Sequence, residues 1–134
     1  MIERWRREGV ALNPPASDEQ ISALSSALGG IPEDLERFLR LANGMPDGVC
    51  DAHLVAIWSS DEILHEHQQE SGSDDVGPYI DWVFGDVLID SQLLAVRLRS
   101  GRPATYVVEG CFEAPSLDAF LRAYLNDPSV FGAH

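Results

Sequence analysis

The chain has 134 residues, with 22 Asp or Glu against 9 Arg and no Lys, for a formal charge of −13 at neutral pH. That balance argues against a nucleic-acid or anionic-membrane partner, because holding phosphates takes clustered cations. No apolar run approaches the roughly 20 residues of a membrane span, and the two cysteines, Cys50 and Cys111, stand far apart, which points to a reducing cytosol and not to a disulfide framework.

A chain of this size buries about two-thirds of its unfolded surface, so residues 1–134 are expected to fold as a single domain without staples. The first ten residues, MIERWRREGV, lack the apolar core of a signal peptide, and the expected location is cytoplasmic.

The spacing predicts a short first helix over 3–8 anchored by Trp5, with Arg4, Arg6 and Arg7 as the basic cluster. Gly9 ends it, and Asn13-Pro14-Pro15 is a stiff connector. Ser17 reads as an N-cap with Gln20 completing a capping box, and Ile21, Leu24 and Leu28 share one face before Gly29-Gly30. The next helix carries the fullest grammar. Pro32 suits its first position, Glu33 and Asp34 favour the positive end of its dipole, and Leu35, Phe38, Leu39 and Ala42 form an apolar stripe. Glu36 and Arg40 pair at i,i+4, and Asn43-Gly44 is expected to end the helix in a left-handed cap. Two helices joined by a tight turn make an N-terminal helical hairpin.

After Gly44 the period changes. Pro46-Asp47-Gly48 is turn chemistry, 53–58 reads as a buried strand, and Ser60-Asp61-Glu62 opens a helix running to about 69. Residues 71–77, SGSDDVG, read as a flexible loop. Strands are then expected over 79–84, 87–90, 93–99 and 105–109, with a hairpin turn at Ser100-Gly101. Ser116 caps a last helix whose inner face is Leu117, Phe120, Leu121, Tyr124 and Leu125, ending at Asp127-Pro128. The expected fold is α+β: the helical hairpin, a central, mostly antiparallel sheet of about five strands, and a C-terminal helix packed on the sheet.

The charge distribution gives the main candidate site. Between Arg40 and Arg97 there is no cation, and the interval holds eleven acids: Asp47, Asp51, Asp61, Glu62, Glu66, Glu70, Asp74, Asp75, Asp81, Asp86 and Asp90. Clustered like charge opposes folding, and its functional return is steering toward a basic partner; the plainer reading is a solubilising surface. The expected partner-binding set is Asp61, Glu62, Glu66, Glu70, Asp74, Asp75, Asp81, Trp82 and Asp86, with Trp82 as an aromatic anchor if its strand exposes one face. A Trp packed under the helices is the alternative. The basic cluster Arg4-Arg6-Arg7 folding onto this interval is the arrangement that weakens the steering idea.

Other chemistries have weaker support. His65 and His67 stand at i,i+2, so on a helix they point to different faces, and His53 and His134 have no ligand spacing to them. No metal or other cofactor is expected. There is no GxSxG and no Gly-rich phosphate loop, and the only nucleophile pairing left open is Cys50 with His53.

An ordered set of motifs remains. It comprises Asn13-Pro14-Pro15-Ala16-Ser17, Ile31-Pro32-Glu33-Asp34 with Arg37-Phe38-Leu39 and Asn43-Gly44, the corner Trp58-Ser59-Ser60-Asp61-Glu62-Ile63, Phe84-Gly85-Asp86, and Ala114-Pro115-Ser116-Leu117-Asp118-Ala119-Phe120-Leu121. Over roughly residues 10–126 this order resembles the SUKH superfamily. The resemblance implies an α+β fold, no enzymatic activity and no catalytic residues. It also implies a role as a bacterial immunity protein that binds and neutralises a cognate toxin, often a nuclease or deaminase. A fungal branch of that superfamily regulates cell-wall synthesis through protein contacts. The expected function is therefore a non-enzymatic protein-binding module whose partner is a protein toxin with a basic surface. The alternative is a regulatory or scaffold protein that binds a housekeeping partner.

Overall fold

A computed structural model of the chain describes residues 1–87, 92–108, 112–127 and 129. After a short α1 (Ile2–Arg7), α2 (Asp18–Leu28) begins at Ser17, whose Oγ accepts from Gln20 N–H while the Gln20 side chain accepts from Ser17 N–H. The capping box is thus present as read. In α3 (Glu33–Leu41), Pro32 is the N-cap and not the first helical residue.

Asn43-Gly44 does not form the expected left-handed cap, because α3 already stops at Leu41 with an extended C-cap, and the pair has another role. Ala42 is already extended, Asn43 is buried, and Gly44 has φ +67°. A Cβ at position 44 would lie 2.4 Å from the Trp58 carbonyl oxygen, so only glycine fits this approach. The connector lies against the same spot: Asn13 N–H donates to Gly44 O, Asn43 N–H to Pro14 O, and Ala16 N–H to Leu39 O.

Among the described residues the sheet has six strands, in keeping with the expected five or so, and all their pairings are antiparallel: β1 (Val55–Ile57), β2 (Gln69–Asp74), β3 (Gly77–Val87), β4 (Gln92–Leu98), β5 (Thr105–Val108) and β6 (Phe112–Ala114). Between β1 and β2 runs α4 (Ser60–Glu66), and α5 (Leu117–Asn126) closes the order. The order across the sheet is β1-β3-β4-β5-β6, with β2 also paired to β3. Because β1 pairs with 85–87 and β2 with 77–82, these two strands lie end to end along one edge of β3.

Two expectations fail here. Residues 71–77 are not a flexible loop, since most of them belong to the β2–β3 hairpin. Asp74 faces Gly77 across the turn, and its Oδ1 accepts from Val76 and Gly77 N–H. Tyr79 lies over Gly72, where a Cβ would meet the ring at 2.5 Å, and the Arg97 guanidinium stacks 3.8 Å from the Tyr79 ring centroid. Second, 79–84 and the start of 87–90 are one strand, bent by an irregularity between Val83 and Gly85; residues 88–90 lie outside the described residues, as does Glu109.

The helices cover the sheet through an aromatic cluster in which Phe84, Tyr106 and Phe112 meet Phe120 of α5 or one another at 5.9–6.2 Å. Two buried or half-buried carboxylates tie the helices down. Asp34 accepts from Tyr106 OH, Leu35 N–H and Leu117 N–H, joining α3, β5 and α5. Asp51 accepts from Trp5 Nε1, Tyr124 OH, His53 N–H and Val55 N–H, joining α1, α5 and β1. Among the described residues no buried side-chain polar atom lacks a partner, and no helix is long and apolar enough to cross a membrane.

Candidate functional site

The cation-free interval folds largely into one edge of the molecule, made of the 45–54 loop, β1, α4 and the β2–β3 hairpin. The corner that presents α4 is fixed from two sides. Ser59 Oγ accepts from Glu62 N–H at 3.1 Å and caps the helix. Asn43 Oδ1 accepts from Ser60 N–H at 2.8 Å, and Asn43 Nδ2 donates to Ser60 Oγ at 3.1 Å. Asp61 and Glu62 then occupy the first turn, where the helix dipole favours them. One turn on, Glu66 is exposed, and His67 ends α4 in a left-handed conformation at φ +49°.

Beside α4 lies a cavity of about 340 Å³. Asp47, Glu62, Glu66 and Asp86 line it together with apolar groups that include Met45, Val49, Leu54 and Ala56. Asp86 also accepts from Trp58 Nε1 at 2.8 Å, which fixes its carboxylate at the strand junction. A second, more open cavity of about 510 Å³ shares Pro46 and Asp47 with the first and reaches Asn13, Gln20, Ser59 and Asp61. Asp61 accepts from Gln20 Nε2 there at 3.2 Å. No Arg, Lys or His is among the described residues lining either cavity.

The expected site residues therefore divide. Asp61, Glu62, Glu66 and Asp86 come together around the two cavities. Glu70 is exposed on β2 and Asp75 at the hairpin turn, both away from the cavity beside α4. Asp74 and Asp81 are not unpaired acids, because arginines beyond the interval fold back on them. Arg97 donates from Nε and Nη2 to the two Asp81 oxygens at 2.8 and 2.9 Å. Arg99 grips Asp74 at 2.6 and 2.9 Å, and this hydrogen-bonded guanidinium holds the Asp74 carboxyl at about 2. Hydrogen bonding to Asp81 raises the Arg97 pKa further against the opposing pull of burial.

Trp82 corrects the anchor reading. It is 3% exposed and meets the His67 ring edge-on at 5.0 Å, so it is part of the core and offers no surface contact. The reason is that 81–85 are buried throughout, so this strand shows no exposed face for a Trp to occupy. The N-terminal basic cluster makes no ion pair with the interval among the described residues; Arg4 pairs instead with Glu8 in its own helix.

Sequence reasoning passed over Asp47 and Leu54 as site residues. Asp47 had a signal, since Pro46-Asp47-Gly48 marks an exposed turn. Leu54 had none, because its position depends on the hydrogen bonds of Asp51. Of the other candidates, Cys50 lines the cavity while the His53 ring packs edge-on against Tyr124 at 6.0 Å. Cys111, Asp90 and His134 lie outside the described residues. Among the described residues no three His, Cys, Asp or Glu side chains converge as a metal-ligand set.

The arrangement is a concave surface lined by carboxylates and apolar groups. Comparison with family models, with curated proteins and with solved structures finds no match to this chain.

Proposed function

We propose that this chain is a non-enzymatic protein-binding module resembling the SUKH superfamily, a cytoplasmic immunity protein that binds and neutralises a cognate bacterial toxin. One observation carries the reading. After folding, Arg97 and Arg99 neutralise Asp81 and Asp74 on β3 and β2, while Asp47, Asp61, Glu62 and Glu66 stay gathered around two adjoining cavities lined by no described cation. Like charge held this close opposes folding. A partner with a positive groove supplies the compensating interaction.

The mechanism is steric and electrostatic. Toxins that act on nucleic acids or nucleotides need cations to hold phosphates. The α4 edge docks on such a groove, excludes the substrate and performs no chemistry of its own. Steering of this kind raises association rates to as much as ~10⁸–10⁹ M⁻¹s⁻¹ at low salt. The test is co-expression with the toxic products of neighbouring genes. Rescue of growth by the intact chain, lost when Asp47, Asp61, Glu62 and Glu66 are changed to the amides, is the expected result. Failure to rescue from every neighbouring candidate overturns the proposal.

A further inference from the structure

Strand β2 leaves one edge of the sheet open. Among the described residues it pairs only with β3, and residues 69–74 face 82–77 without a bulge. Two observations show which of its backbone groups point away from β3. Val83 N–H donates to Gln68 O at 2.9 Å, and Pro78, which has no N–H, stands opposite Ser73. Hydrogen-bonded and non-hydrogen-bonded pairs alternate along an antiparallel ladder. Glu70, Gly72 and Asp74 therefore bond to β3, while Gln69, Ser71 and Ser73 turn their N–H and C=O groups outward. Among the described residues no other backbone group takes them up. Natural sheet edges are blunted by Pro, Lys or a bulge. β2 has none of these, and its centre is Ser71-Gly72-Ser73. A side chain is aimed at the same edge. Tyr79 reaches across Gly72, where a Cβ would lie 2.5 Å from its hydroxyl, and that hydroxyl makes no hydrogen bond among the described residues.

We propose that this edge pairs with the same edge of a second copy of the chain, antiparallel and centred on Ser71, so that one sheet runs through both molecules. Two-fold symmetry brings Ser71 opposite its own copy and Gln69 opposite Ser73 of the second copy, each pair exchanging both N–H···O bonds. The side chains are self-complementary in this register. Glu70 is exposed and makes no hydrogen bond or ion pair among the described residues. It comes to stand opposite Gly72 of the second copy, within reach of the Tyr79 hydroxyl lying there. The Arg97 guanidinium, 3.8 Å from the centroid of that ring, adds positive charge beside the contact. Symmetry makes the contact twice. Charge also selects the register. Centring on Glu70 would oppose the two Glu70 side chains, and centring on Gly72 would oppose Glu70 to Asp74. Centring on Ser71 opposes no two acids, and Asp74, already gripped by Arg99, faces Gln68. Any extended segment satisfies the backbone groups; the match of donor and acceptor within one chain identifies the second copy as the occupant. The inference goes beyond the immunity reading and does not rest on it.

A single strand pair is a small contact, so the dimer belongs to the weak, transient class. The test is sedimentation equilibrium on the full chain at about 0.15 M salt, where like net charges are screened beyond about 8 Å. From about 10 μM to about 1 mM the mass should rise from 14.7 kDa toward twice that value. Over the same range, amide shifts in the ¹⁵N-labelled chain should concentrate on 69–73 and 79. Ser71→Pro removes one outward N–H and no bond to β3, a position where an edge strand tolerates proline. It should lower the association constant about tenfold or more, with the monomer's spectrum kept elsewhere. Tyr79→Phe should weaken association severalfold, and Ser71→Ala should leave it unchanged. A chain still at 14.7 kDa at about 1 mM overturns the proposal, as does a folded Ser71→Pro variant that associates undiminished. Undiminished association of Tyr79→Phe overturns it too, which keeps the test decisive if Ser71→Pro does not fold. Shifts at 69–73 that appear only when a toxin is added to a monomeric chain give the edge to a strand of the toxin and overturn the dimer. Failure of the rescue assay leaves this inference standing.

Discussion

Two sets of carboxylates in this chain have opposite work, and the difference lies in their partners. Asp34, Asp51 and Asp81 are buried or half-buried, and each is saturated: two by phenols and amide or indole N–H groups, one by a guanidinium. Asp47, Asp61, Glu62 and Glu66 stand on the α4 edge around cavities with no described cation in their lining. A buried charge is tolerated only when its hydrogen bonds are made, so the first set is committed to the fold. The second set, in which Asp61 accepts from Gln20 Nε2, is the one we propose a basic partner meets.

This contrast breaks most readily at Asp51. Asp51→Ala strands four donors, including the indole of Trp5 and the hydroxyl of Tyr124. We expect a loss of about 3 kcal/mol or more, seen as a lower urea midpoint with an unchanged slope. A loss below about 1 kcal/mol removes Asp51 from the set that holds the fold. Arg97→Ala should follow at about 2–3 kcal/mol, because it leaves the Asp81 carboxylate, 8% exposed, without its cation.

Stability against pH sharpens the same contrast. Burial, and then the hydrogen bonds to Asp34 and Asp51, raise the Tyr106 and Tyr124 pKa values well above the ordinary phenol. A folded pKa above the unfolded one gives stability that is complete below about pH 10 and is lost as the pH rises further. Melting temperatures from pH 8 to 12 should fall, and the fall should flatten in the Tyr106→Phe, Tyr124→Phe double variant. At the other end, the Arg99 hydrogen bond lowers the Asp74 carboxyl from 3.8 to about 2. Its contribution is therefore present above about pH 4 and disappears as the pH drops toward 2, a small effect that Arg99→Gln should abolish.

The smallest effect on stability belongs to the α4 edge. Glu66→Gln, in the last turn of α4, should change unfolding free energy by no more than about 0.5 kcal/mol, and at low salt the change should be toward greater stability. Destabilisation by more than about 1 kcal/mol assigns this acid to the fold after all.

What could be read from the sequence follows the range of the interactions. The helices and the caps at Ser17 and Ser116 depend on residues three or four apart, so they were legible, whereas the Ser59 cap of α4 was not read. β2 was not, because Gln-Glu-Ser-Gly-Ser-Asp has no strand propensity of its own; β3 supplies the pairing, and Tyr79 covers Gly72. The same distance problem hid the ion pairs. The cation-free interval is real along the chain, but Arg97 lies opposite Asp81 only through the β3–β4 register. The burial of Trp82 was illegible for a related reason: a strand covered on both faces shows continuous burial, as 81–85 do, and alternation then carries no information. Within the site, Asp61, Glu62, Glu66 and Asp86 were legible from charge alone, whereas Leu54 depends on the tertiary placement of Asp51.

The central claim is that the α4 edge meets a basic partner. It is tested most directly by the association rate with the toxin identified by rescue, followed by stopped flow from about 20 to 500 mM salt. The range moves the screening length from roughly 20 Å to under 5 Å. The account predicts a rate that falls about tenfold or more across it for the intact chain, and a shallower fall when Asp47, Asp61, Glu62 and Glu66 are amides. A rate that is flat in salt, or equally steep in the amide variant, contradicts it.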